Sequence, residues 1–248
     1  CGYPLDKRIF PWNHANCGDL NLSGERRPQS YLRETLWSDA PVSHIVVTPP
    51  VPSFPLNPDK ADWSVWNFPD VVDHWNFPGY EGKKMTVSVY SNCEQVELFL
   101  NGESLGKQEN TADKKNTLVW EVPYAHGILK AVSYNKGGEV GTATLESAGK
   151  VEKIRLSADR TEIVADGNDL SYITLELVDS KGIRNQLAEE LVAFSIEGDA
   201  TIEGVGNANP MSIESFVANS RKTWRGSNLL VVRSGKSSGR IIATATVK

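Results

Sequence analysis

The sequence predicts a mainly β fold: two tandem immunoglobulin-like β-sandwiches behind a short helix-bearing segment. Three observations carry this expectation. From Met85 onward, short stretches alternate apolar and polar residues, the two-residue period of a half-buried strand. Turn signals separate these stretches at roughly 8–12-residue intervals, the spacing of a sandwich. The composition is also lopsided. Eleven of the 13 prolines lie in the first 78 residues and five of the seven tryptophans in the first 75, so the first third differs in kind from the rest.

In the first third, Pro28–Trp37 reads as a helix with proline at a natural first position, and Asp39-Ala40-Pro41 stops it. Leu32 and Leu36 lie one turn apart on one face with Tyr31 alongside. One helix with its loops cannot bury a core alone, so residues 1–42 are expected to dock on something. Residues 43–62 read as a proline-rich linker, stiffest over Pro49–Pro58, which holds five prolines in ten positions.

The first sandwich is assigned to residues 63–149. Its expected strands are Met85–Tyr90, Val96–Leu100, Thr117–Val122, Ile128–Tyr134 and Val140–Leu145. Asn101-Gly102 is a favoured two-residue hairpin turn, since both positions tolerate positive φ. Asn135-Lys136-Gly137-Gly138 joins the last two strands. The second sandwich, residues 150–248, is expected to use Val151–Leu156, Thr161–Ala165, Tyr172–Val178, Leu191–Ile196, Asn228–Arg233 and Arg240–Val247. About 100 residues with some seven strands is the immunoglobulin scale. The Cys-Trp-Cys core of antibody domains is absent, so the likeness is one of architecture.

The composition excludes several classes. A 40% hydrophobic chain has enough apolar material for real cores. No apolar run approaches the roughly 20 residues of a membrane helix. A net charge of -5, from 26 basic and 31 acidic residues dispersed along the chain, does not suit a nucleic-acid binder. Cys1, Cys17 and Cys93 form no close pair, and His14, His44, His74 and His126 are spread out, so neither set has zinc-site spacing. No metal or cofactor is expected. Cys1 could pair with Cys17 in an oxidising compartment. The opening Cys1-Gly2-Tyr3-Pro4, without initiator Met or leader, is expected to be the cut end of a longer chain.

Some motifs invite chemistry and fail on context. Arg233–Gly239 resembles a phosphate loop, but Leu230 stands where that motif needs glycine, and no helix follows; a hairpin turn is the expectation. Gly204-Val205-Gly206-Asn207 likewise opens no helix. Asp166–Asp169 reads as a polar turn in preference to a calcium loop, and Asn21-Leu22-Ser23 as a chance glycosylation sequon. The unusual feature is aromatic: Trp63, Trp66, Phe68, Trp75 and Phe77, with Asp73, His74 and Asn76 around Trp75. Rings beside hydrogen-bonding groups suit sugars, whose C–H faces stack while their hydroxyls find partners. The plainer alternative is that the rings cement this segment onto the first sandwich.

Tyr80-Glu81-Gly82-Lys83, Val89–Asn92 and Val96–Gly106 resemble the sandwich that follows the catalytic barrel in bacterial β-galactosidases of glycoside hydrolase family two. Val122-Pro123-Tyr124 and Gly127 with Leu129–Val132 fit the same module. Leu156–Arg160, Ala165–Gly167, Asp169-Leu170, Gly204–Pro210 and Arg221-Lys222 are similar to that family's immunoglobulin-like C-terminal module. Phe10-Pro11-Trp12, Cys17–Gly24 and Arg27–Tyr31 resemble the end of its (β/α)8 barrel, which makes residues 1–42 the barrel's last loop and helix.

The resemblance implies a retaining hydrolase of β-galactosides or related glycans, with two glutamates about 5–5.5 Å apart. Both would sit at the ends of earlier barrel strands. The family's acid follows an asparagine, and no Asn-Glu dipeptide occurs in this chain. The catalytic pair is therefore expected upstream, and Glu81 and Glu97 are not substitutes for it. The chain would support the barrel and shape its cleft: Trp12 and His14 near substrate, and Asp73, His74, Trp75 and Asn76 at the rim, Trp75 as a stacking wall. Expected partners are the upstream barrel and a glycan, with neither nucleic acid nor membrane; a homo-oligomer is compatible, and the family resemblance suggests a periplasmic or secreted protein. Two alternatives stay open, a pair of carbohydrate-binding modules and a surface adhesion array.

Overall fold

The computed structural model describes residues 10–11, 18–53 and 69–248, and these divide between two compact units. Among the described residues, the first holds residues 18–20, 26–53 and 69–147; the second holds residues 10–11, 21–25 and 148–248. Each is built on antiparallel sheets, as the alternation from Met85 onward predicts.

In the first unit, β1 (Ser43–Val47), β2 (Lys84–Ser91) and β5 (Thr117–Pro123) form one sheet in the order β1-β2-β5. The other runs β4-β3-β6-β7, from β3 (Gln95–Leu100), β4 (Glu103–Glu109), β6 (Ile128–Asn135) and β7 (Gly138–Glu146). Alternate residues of both sheets meet in one core, with Val87, Val89 and Leu118 facing Val96, Leu98 and Leu129. Each of these is completely buried, and burying a side chain of this kind is worth about 1.5–3 kcal/mol. Asn101 and Gly102 take φ of 52° and 87°, as their hairpin turn requires.

The first five residues of the expected linker are a strand. Residues 43–47 are β1, paired with β2 from Ser43 opposite Ser91 to Val47 opposite Val87. Ile45, Val46 and Val47 are all buried, so this strand has two covered faces and shows no alternation to read. The helix is a short 3₁₀ turn over Pro28–Ser30 followed by α1 (Tyr31–Trp37). Its apolar face differs from the expected one. Tyr31 and Leu32 pack on Val46, Val71 and Tyr90, whereas Leu36 and Trp37 are 66% and 84% exposed.

In the second unit, β10 (Leu191–Glu197) lies between β12 (Ser220–Lys222) and β14 (Ile242–Val247). The facing sheet runs β11-β13-β9-β8, from β8 (Lys153–Ala158), β9 (Leu170–Val178), β11 (Ala200–Gly206) and β13 (Ser227–Ser234). Leu175, Leu177, Val192, Phe194, Leu230 and Val232 form the core between them.

Two expectations fail here for one reason. Thr161–Ala165 is not a strand: the Asp169 carboxylate accepts from Val164 N, and Asp166 accepts from Asn168 N and Asp169 N, so side chains capture the amides a ladder would use. The 233–239 segment is not a hairpin turn either, since β13 and β14 belong to different sheets. Its amides, Lys236 N and Ser237 N, donate to the Asp199 carboxylate at 2.9 and 2.7 Å. The anion that this glycine-rich loop cradles is the protein's own.

A tight turn closes the Trp224–Ser227 bridge. Gly226 has φ of 68°, and a Cβ there would come within 2.3 Å of the Asn185 carbonyl oxygen. Gly226→Ala is therefore expected to destabilise the second sandwich by more than the ~1 kcal/mol of left-handed strain alone, measurable as a lowered urea midpoint.

Candidate functional site

Of the expected rim residues, Trp12 and His14 lie outside the described residues, as do Cys1, Cys17, Trp63, Trp66 and Phe68. The other four follow directly on a backbone bridge. Val72 and Val47 exchange both N–H···O bonds, at 2.9 and 2.8 Å, which fixes the chain as it enters Asp73–Asn76.

From there the side chains divide. Trp75 is completely buried, packed edge-on against Tyr124 and Phe77 with ring centroids 4.9 and 5.9 Å away. Its indole N–H donates to Ala125 O at 2.8 Å, and its carbonyl accepts from the Ser147 hydroxyl. A stacking wall for sugar needs an accessible ring face, so Trp75 is a core residue of the first sandwich and not a wall. Asn76 is buried too, its N–H donating to His74 Nδ1 at 3.2 Å. Asp73 and His74 are half-buried, and the His74 ring lies 4.9 Å from Phe77.

Asp73 belongs to a cluster that the sequence did not single out. Tyr31, at the start of α1, stacks on His44 of β1 with centroids 3.5 Å apart and planes 15° from parallel. The Arg26 guanidinium sits 3.9 Å above the Tyr31 ring, pairs with Glu34 at 2.6 Å and donates to Ser30 Oγ at 2.8 Å. Burial pushes the His44 imidazole down to about 4; Arg26 adds to that, while Asp73 and Glu34 oppose it. Burial likewise raises the Tyr31 phenol, against the pull of Arg26 and with Asp73 and Glu34. His44 Nε2 is buried without a hydrogen-bond partner, which suits a neutral ring held by stacking.

Beside the cluster is a cleft of about 250 Å³ lined by Tyr31, Glu34, Val42, Ser43, His44 and Thr142. That is below the roughly 300–1,000 Å³ of small-molecule sites. Its carboxylate is already paired with Arg26 and its imidazole is neutral at pH 7. The arrangement anchors α1 on the first sandwich. Among the described residues, no group of three or more His, Cys, Asp or Glu side chains gathers as metal ligands. No local motif announces the cluster. Tyr31 reads as helix and His44 as linker, and only the fold brings them together.

Residues 154–248 match the family described as glycoside hydrolase family 2 C-terminal domain 5, and residues 82–141 match a domain of unknown function, DUF4982. Beta-galactosidase BoGH2A of Bacteroides ovatus is 32% identical over 238 residues, covering 96% of this chain and 25% of its own. A putative beta-glucuronidase of Formosa agariphila is 28% identical over 82% of this chain and 17% of its own. Among solved structures, a glycosyl hydrolase family 2 member from Bacteroides cellulosilyticus superposes with a TM-score of 0.97 at 99% identity, covering all of this chain and 32% of that one. A beta-glycosidase from Bacteroides vulgatus superposes at 0.80 with 26% identity over 96% of this chain and 27% of its own. The chain thus spans between a sixth and a third of the length of these relatives.

Two outcomes are expected from this geometry. Unfolded His44 takes up a proton near its ordinary value of 6.5, whereas the folded ring resists until about 4. Its contribution to stability is therefore complete above the unfolded value and is lost as pH falls towards 4, by an amount on the order of 3 kcal/mol. His44→Gln should flatten that part of the urea-midpoint profile between about pH 7 and about pH 4.5. Trp75→Ala should cost ~3–5 kcal/mol in denaturant unfolding, with Trp75→Phe costing less because the core stays filled.

Proposed function

The chain belongs to glycoside hydrolase family 2, and from that premise we propose that it is an accessory β-sandwich region of a retaining β-galactosidase-type enzyme. The supporting observation is the pattern of coverage. A relative named beta-galactosidase matches 96% of this chain, and the match is a quarter of its own length. The chemistry would then belong to the part of the polypeptide that these residues do not include.

In that reading, a glutamic acid protonates the leaving group, and a second glutamate forms and then releases a glycosyl-enzyme intermediate. Neither is assigned here, since the chain has no Asn-Glu dipeptide. This region supplies support and shape: the first sandwich presents the Asp73–His74 edge to the cleft, and Trp75 stiffens the edge from within the core. The imidazole of His74 and the carboxylate of Asp73 would meet hydroxyls of sugar units beyond the scissile bond. A β-galactoside is preferred to a β-glucuronide because the beta-galactosidase match covers more of the chain than the beta-glucuronidase match.

A chromogenic assay tests this. The full-length enzyme should turn over a nitrophenyl β-galactoside faster than the β-glucuronide, while the 248-residue chain alone should be inert; turnover by the isolated chain would overturn the proposal. In the full-length enzyme, Asp73→Asn combined with His74→Ala should raise KM several-fold for a β-galacto-oligosaccharide. For the nitrophenyl substrate, which does not reach the rim, KM should stay unchanged.

A further inference from the structure

The second sandwich carries a cleft of about 620 Å³ on the outer face of its four-stranded sheet, within the size range of small-molecule sites. Strand register builds its floor. Ser157 of β8 lies opposite Thr174 of β9, which lies opposite Leu229 of β13, so the three form one row across the sheet. Tyr172, two residues along β9 on the same face, is 42% exposed. Its backbone N–H donates to Asp159 Oδ1 at 2.8 Å, and Asp159 N donates back to Tyr172 O at 2.9 Å. The bond from Tyr172 N, aided by Arg160 N, the Ser171 hydroxyl and the Arg160 guanidinium 3.8 Å from Oδ2, holds the Asp159 carboxyl below its usual range, so it is an ionised acceptor at the rim.

The far wall is the turn Leu22-Ser23-Gly24, which clusters with this unit. Asn21 Oδ1 accepts from Ser23 N and Glu25 N, and Glu25 Oε1 accepts from Arg184 and from the Ser227 hydroxyl at 3.1 and 3.0 Å. The wall is therefore tied to the sheet that forms the floor, yet it leaves Leu22 51% exposed. The apolar part, one ring and two leucines, is too small to be the core of a protein interface, which needs about 1,000 Å². Mixed with it are three hydroxyl side chains and a carboxylate. An exposed ring flanked by hydroxyls and a carboxylate held in place by backbone bonds matches a sugar, whose C–H face stacks while its hydroxyls bond.

We infer that the Tyr172 cleft is a binding site for a neutral β-linked oligosaccharide, with Tyr172 as the stacking platform and Ser157, Thr174 and Asp159 as hydroxyl partners. This rests on the hydrolase reading for its choice of ligand, and it adds a binding site on a different domain from the proposed rim. The site would hold a polymeric substrate near the enzyme without taking part in the chemistry.

Affinity electrophoresis of the full-length enzyme tests it, in native gels containing a soluble β-linked galactan or a soluble β-linked glucan. The catalytic centre is first blocked by a covalent fluorosugar. Wild type should be retarded in at least one gel; Tyr172→Ala should weaken the apparent affinity about tenfold, or ~1.4 kcal/mol, and Tyr172→Phe should keep most of it. Unblocked Tyr172→Ala should retain wild-type kcat/KM on the nitrophenyl β-galactoside, which also shows that it folds. Equal retardation of wild type and Tyr172→Ala, or no retardation of wild type in either gel, would overturn the inference. Fluorosugar labelling and chromogenic turnover report on the hydrolase reading separately.

Discussion

The first sandwich depends on one buried indole. Trp75 fills the centre of the core, and its N–H must find a partner because an unpaired donor there costs ~1–3 kcal/mol. Ala125 O, in the β5–β6 connection, provides it. The Trp75 carbonyl takes the Ser147 hydroxyl just beyond β7, and Phe77 N donates to the Tyr124 hydroxyl at 3.0 Å. One segment outside the sheets is thereby fastened to two connections of the sandwich. The Asp73–His74 edge owes its position to this anchoring, as does the backbone bridge that holds Val72 against β1.

The second sandwich has its counterpart in Arg221, a completely buried guanidinium. It donates to Val205 O, Glu214 O and the Ser212 hydroxyl at 3.1–3.2 Å and lies 4.3 Å from the centre of the Phe216 ring. Burial lowers its pKa, and the nearby Glu214 carboxylate works against that. The loop from Asn207 to Asn219 is thus folded around a charge that would otherwise be stranded, and a hydrophobic residue in its place would leave those carbonyls unpaired. Aspartates do the same at the turns. Asp179 is buried, which raises its carboxyl pKa, yet bonds from Gly149, Ile183 and Lys181 amides hold it low overall. These carboxylates serve as turn staples.

The same logic accounts for the strands that are hard to read. Residues 103–109, 200–206 and 220–222 became β4, β11 and β12, each at the edge of its sheet. Edge strands need little apolar material, and β4 has the sequence ESLGKQE with no buried residue. Its lysine and glutamates protect an open edge from pairing with another chain. β11 carries a bulge between Ile202 and Gly204, which breaks the two-residue period. At the opposite extreme, β1 is covered on both faces and lost its alternation through burial.

What the sequence determined by itself was the class of fold, the interior strands, the Asn101-Gly102 turn and the family. These depend on local period and turn chemistry, which a linear pattern records. The fate of individual side chains was set by long-range packing. Trp75 and Asn76 carry the residue types of a sugar site, yet the chain turns them into the core and leaves Asp73 and His74 half-buried. Tyr31 and His44, thirteen positions apart, are stacked because α1 docks on β1, and Tyr172 and Leu22, 150 positions apart, line one cleft. Burial and encounter are properties of long-range packing, and a pattern read along the chain has no term for them.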